Sequence, residues 1–151
     1  MTKKVLISGA SIAGPALAHW LHRYGFTVTV VERAPRLRPG GQAVDLRGVG
    51  KEVVRRMGLN TQIRAACTDT RGMSLVDRDN KERAQLRADM FGGDGMVAEI
   101  EILRGDLAAV LHEATRHDVE YRFGDTINGL EQTRDGSWPP SPAGTPRPST
   151  W

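Results

Sequence analysis

The residues whose types and spacing can do chemistry are the run Gly9-Ala10-Ser11-Ile12-Ala13-Gly14 and the carboxylate of Glu32. A dinucleotide is gripped by its pyrophosphate where a strand hands over to a helix, through a turn of the form Gly-x-Gly-x-x-Gly. The first glycine makes the tight turn, the second lets backbone reach the pyrophosphate, and the third lets the helix close on the strand. Gly9 and Gly14 hold the first and third places, and Ser11 holds the second. There its Cβ crowds the approach, while its hydroxyl can donate to a phosphate oxygen. Ile12 and Ala13 then open the helix, whose leading N–H groups and positive dipole end face the anion. Pro15 falls in the first turn, where no helical donor is lost. Glu32 follows Gly14 by 18 residues, near the roughly 20 at which an acidic side chain accepts from the adenosine ribose hydroxyls. Its charge repels a 2′-phosphate and so favours FAD or NAD over NADP. Arg33 beside it can pair with such a phosphate.

These residues need a strand, a helix and a second strand to hold them. Val5-Leu6-Ile7 is an aliphatic run expected as a strand buried on both faces. From 13 to 24, Ala13, Ala16, Leu17, Trp20, Leu21 and Tyr24 recur three and four apart, predicting a helix with that face toward the core and Gly25 as its stop. The β-branched run from Thr27 to Val31 predicts the second strand, completing a βαβ unit with parallel strands. Further on, strands are expected over 42–46, 97–103 and 119–123, and a helix over 49–57. A second helix is expected over 106–117, capped by Asp106. Segments 72–77 and 82–86 flank Asp79-Asn80 and predict an antiparallel hairpin.

Four segments, in order, resemble the FAD-dependent aromatic hydroxylases and related flavoprotein monooxygenases, including the tetracycline-modifying type. They are Val5 to Gly14, Val30 to Arg33, Gly40 to Gly48, and Ile102 to Leu107. The resemblance implies an α/β fold of the Rossmann-like FAD/NAD(P)-binding kind, a parallel sheet with a small antiparallel hairpin, incomplete at its C-terminus. It places Gly9, Ser11 and Gly14 on the FAD pyrophosphate, together with Ile12 and Ala13 at the helix start. Glu32 would meet the adenosine ribose and Arg33 the adenine end, with Arg104 at the ribityl or phosphate region. Asp45 would lie near the flavin and the substrate. The implied reaction reduces FAD with NAD(P)H and transfers one oxygen atom from O₂ to an aromatic or similar small molecule. Read from the residues alone, Arg104 is either a phosphate ligand at the sheet edge or a surface residue, and Asp45 is either functional or a turn aspartate. No catalytic acid or base is assigned, because the cofactor carries the chemistry. A nicotinamide-dependent dehydrogenase domain and a non-catalytic FAD-binding fragment are the alternatives.

The 151 residues, 39% hydrophobic and 26% charged, suffice for one core and are too aliphatic for a disordered chain. A net charge of +3, spread along the sequence, gives only weak grounds for a nucleic-acid or anionic-membrane partner, and neither is expected. No apolar run approaches the roughly 18 residues of a membrane span, and no secretory signal opens the chain, so a cytoplasmic protein is expected. Cys67 alone cannot form an internal disulfide and is expected to pack rather than react. His112 and His117 are five residues apart, about 140° around a helix, and cannot share a metal on one face. Arg36 and Arg38 are expected in a solvated basic loop. Composition shifts near Gly136: residues 137–151 hold five of the eight prolines and no Val, Ile, Leu or Met. The expectation is a domain over 1–136 followed by a disordered proline-rich tail over 137–151, with truncation or a frameshift after about residue 134.

Overall fold

Strand β1 (Lys4–Ser8) and strand β2 (Thr27–Glu32) pair in parallel, from Lys4 opposite Thr27 to Ser8 opposite Val31. Helix α1 (Ala13–Arg23) connects them, which is the expected βαβ unit. The structure, a computed structural model, describes residues 3–87, 89–90, 98–133 and 136–138. Strand β7 (Glu120–Phe123) adds to the far side of β2, also in parallel, giving the order β1-β2-β7. The buried Val28, Val30, Ile7, Ala10, Ala18 and Val119 form the core of this layer.

The face that α1 turns to the core differs from the periodicity. Gly14, Pro15 and Ala18 are the buried residues, whereas Leu17 is 50% and Tyr24 73% exposed. Small residues let the helix backbone approach the sheet, and close backbone approach outweighs the area that a Leu or Tyr would bury. Leu17 and Tyr24 are displaced to the flank, where Tyr24 stacks on Trp20 at 6.4 Å, while Leu21 of the expected face still packs against the core.

The chain divides into two compact units, one within Met1–Leu37 and Thr115–Trp151, the other within Arg38–Ala114. The first holds the sheet just described, together with β8 (Glu131–Thr133) paired antiparallel to β9 (Gly136–Trp138). This pairing takes in Ser137 and Trp138, which the composition places in the tail. Antiparallel ladders need only main-chain groups, so the lack of aliphatics does not prevent it. Residues from 139 onward lie outside the described residues.

In the second unit, β3 (Ala43–Asp45) pairs antiparallel with β6 (Glu101–Leu103). Both are shorter than their sequence patterns, and Val97 lies outside the described residues. Helix α2 (Val49–Arg56) forms as expected, and a short α3 (Asn60–Ala65), unforeseen in the sequence, follows Gly58. The hairpin of β4 (Gly72–Val76) and β5 (Glu82–Arg87) forms around Asn80, whose φ is 58°. Asp77 Oδ1 accepts from the Asp79 and Lys81 amides and shapes that turn. Helix α4 (Arg104–Glu113) starts two residues before the expected Asp106 cap and ends four before His117. Its N-cap position is Leu103, extended at φ −65° and ψ 141°, and Asp106 sits in its first turn. The Gly40 and Gln42 carbonyls, in the loop before β3, satisfy the leading amides instead of a side chain, so no capping aspartate is needed.

Candidate functional site

The β1–α1 turn is built around one close approach. Gly9 turns with φ +103°, and its N–H donates to Val31 O at 2.7 Å, tying the turn to the end of β2. A Cβ on Gly14 would run into the carbonyl oxygen of Gly9 and lie 3.5 Å from Ile7 Cγ2. The third glycine of the motif is therefore required by backbone-to-backbone contact, as its position in the fingerprint demands. The first intrahelical bond is Ala16 N–H to Ile12 O at 3.2 Å. Consequently the Ile12, Ala13 and Gly14 amides precede the helical ladder, and Pro15 has no N–H to place there. Among the described residues no side chain caps this end, and no acidic residue occupies its first turn. The helix start combines a positive dipole end with amides that have no acceptor among the described residues. Ser11 is half-buried, and its hydroxyl has no partner among the described residues.

Glu32 is brought to the same turn. Its Oε2 accepts from the Ala10 amide at 2.8 Å and its Oε1 from the Ala34 amide at 2.8 Å. The carboxylate thus bridges the glycine-rich turn and the chain leaving β2, fixed by two charge-assisted backbone bonds. Beyond it, Asp125 N–H donates to Glu32 O and Gly124 N–H to Ala34 O, locking the exit of β2 to the chain after β7. Arg33 is exposed, with no side-chain partner among the described residues.

Asp45 and Arg104 lie in the second unit. Asp45 Oδ2 accepts from Arg47 Nε at 3.2 Å and from Arg47 Nη2 at 2.9 Å. The aspartate is neither isolated nor part of a turn: it closes β3 and holds a guanidinium. Arg104 is the first residue of α4, exposed, and its guanidinium has no partner among the described residues. The two helix starts differ in kind. At α4 the leading amides are already used, Arg104 N–H by Gln42 O at 3.0 Å and Gly105 N–H by Gly40 O at 2.7 Å. At α1 they are not. Among the described residues, unbonded leading amides are therefore found at α1, and at α4 Arg104 presents only its side chain.

The family described as FAD binding domain matches residues 2–140 of this sequence. The chain belongs to that family. This FAD-binding domain is 47% identical over 134 residues to Rv1260 of Mycobacterium tuberculosis, a match covering 88% of the chain and 36% of that protein. It is 45% identical over 134 residues to the flavin-dependent monooxygenase eupH of a Phoma species, covering 85% of the chain and 31% of that protein. Its fold superposes on tetracycline destructase Tet(55) with a TM-score of 0.75 at 36% identity, over 90% of this chain and 33% of that one. The chain spans about a third of the length of each of these proteins.

Other candidate chemistry in the FAD-binding domain is structural. Cys67 is half-buried, its thiol donates to Ile63 O at 3.3 Å, and burial pushes its pKa up. A partly buried thiol whose pKa is raised is a poorer nucleophile than an exposed one. Alkylation of Cys67 by iodoacetamide at pH 8 is expected to run at least about tenfold slower than that of an exposed cysteine of ordinary pKa. Mass spectrometry of timed samples measures it, and a rate equal to that of a free thiol contradicts this packing. His117 falls in the turns beyond α4, off the helix that carries His112. Among the described residues no group of three or more His, Cys, Asp or Glu is arranged for a metal ion, and no helix is long and apolar enough to cross a membrane. The amides of Ala10 and Ala34, which hold Glu32, carry no signal in their side chains and are visible only in the fold.

Proposed function

We propose that this domain binds FAD through a Rossmann-like β1–α1–β2 unit on behalf of a flavin-dependent monooxygenase. Such an enzyme takes electrons from NAD(P)H and transfers one oxygen atom of O₂ to an aromatic or similar small molecule. The observation that carries the binding reading is the open helix start at Ile12, Ala13 and Gly14 with the Glu32 carboxylate tied to the same turn. The pyrophosphate lies against those amides, with Ser11 Oγ as an added donor. A carboxylate has about four acceptor sites, so anchoring by two amides is compatible with a bond from a ribose hydroxyl to Glu32. Arg33 lies at the adenine end, Arg104 pairs with the ribityl or phosphate region, and Asp45 with Arg47 stands on the flavin and substrate side. Bound FAD supplies the redox and oxygen chemistry, and these residues bind and orient it.

Titration of the purified chain with FAD, followed by flavin fluorescence and absorbance, tests the reading. Saturable one-to-one binding is expected, and NAD showing comparable affinity in place of FAD contradicts it. NAD(P)H consumption by the loaded protein then separates turnover by this chain from cofactor binding alone.

A further inference from the structure

We propose that the loop 38–42 and Gly105 form a clasp that positions Arg104, so that Gly105 acts on FAD binding through the Arg104 guanidinium. This rests on the reading of Arg104 as a cofactor contact. The clasp has three parts, all within the second unit. Gly40 and Gly41 turn with φ +68° and +95°, and the carbonyls of Gly40 and Gln42 accept the Gly105 and Arg104 amides at 2.7 and 3.0 Å. A Cβ on Gly41 would stand 3.4 Å from Arg104 Cβ, so the loop backbone packs along the base of that side chain. A Cβ on Gly105 would stand 2.6 Å from Gly40 N and 2.7 Å from both Arg38 O and Gly40 O. Those three atoms are backbone and cannot rotate away. Any side chain at 105 must push the loop off the helix start.

A loop seated this tightly serves the direction in which Arg104 leaves the helix. The first residue of an α-helix has no preceding turn to pack against, so its backbone is ordinarily free to fray. Here two main-chain bonds fix Arg104 and its neighbour, and a glycine backbone flanks its Cβ. That limits the rotamers of a long side chain whose ordering otherwise opposes binding. The helix start gains an aimed guanidinium in place of an open anion site.

FAD dissociation constants of the intact chain, of Arg104→Ala, of Gly105→Ala and of the double variant test the proposal as a cycle. Arg104→Ala is expected to weaken FAD by about tenfold or more, as a lost charge-assisted bond does. Gly105→Ala is expected to weaken it by about tenfold in the parent and by less than about twofold when Arg104 is already alanine. An equal loss in both backgrounds, or none in the parent, overturns the clasp and makes Gly105 purely structural. Should Gly105→Ala lose its circular dichroism, Gly41→Ala completes the same cycle and must show the same dependence on Arg104. An Arg104→Ala protein with unaltered affinity refutes the contact on which the clasp depends. Failure of the parent chain to bind FAD refutes the wider functional reading, so the failures are distinguishable.

Discussion

Gly14→Val is expected to abolish FAD retention and to lower the stability of the apo chain by about 3 kcal/mol, the upper part of the ordinary overpacking range. The β-carbon of any replacement meets the Gly9 carbonyl oxygen, a main-chain atom of a turn whose Gly9 amide is bonded to Val31 O. To admit it, α1 must lift from β1, and the Ile12, Ala13 and Gly14 amides move with it. Anion binding by fixed amides depends on their being arranged before the ligand arrives. Affinity should therefore fall by at least about a hundredfold, roughly 2.7 kcal/mol, even where the variant still folds. Leu17→Ala on the exposed flank of the same helix is the control, with stability expected within about 0.5 kcal/mol of the parent and FAD affinity unaltered. Urea denaturation and fluorescence titration measure both quantities.

Glu32→Ala is expected to weaken FAD by about 1.5–3 kcal/mol, the contribution of a hydrogen bond to a charged group. It also releases the Ala10 and Ala34 amides, so the apo chain should lose stability in the same range. The two effects separate experimentally. If Glu32 only braces the turn, Glu32→Gln, which keeps one carbonyl oxygen, should recover about half of both losses. If it also bonds the ribose, affinity for FAD falls further than affinity for inorganic pyrophosphate, which has no sugar. An equal loss for both ligands shows that the carboxylate is a brace alone.

The βαβ unit was legible because each part is set by local chemistry: an aliphatic run, a glycine turn, a helical period and a β-branched run ending in Glu32. The hairpin around Asn80 was legible for the same reason. The orientation of α1 was not, since periodicity counts apolar residues and cannot see that Gly14 and Ala18 allow a closer approach than Leu17. The start of α4 was misplaced because Asp106 looks like a cap, whereas the Gln42 and Gly40 carbonyls do that work from 62 and 65 residues away in sequence. The antiparallel pairing of β3 with β6, and the short α3, depend on contacts that no local pattern encodes. In the candidate site, Gly9, Ser11, Gly14 and Glu32 could be named from spacing. That Glu32 is tied to Ala10, and Asp45 to Arg47, required the fold.

The most direct measurement is a ¹⁵N–¹H NMR titration of the intact chain with FAD. The largest amide shifts are predicted at Ser11, Ile12, Ala13 and Gly14, with inorganic pyrophosphate moving the same four and leaving Arg33 and Ala34 nearly still. Shifts that spare those four amides while FAD binds elsewhere would contradict a diphosphate seated on the start of α1.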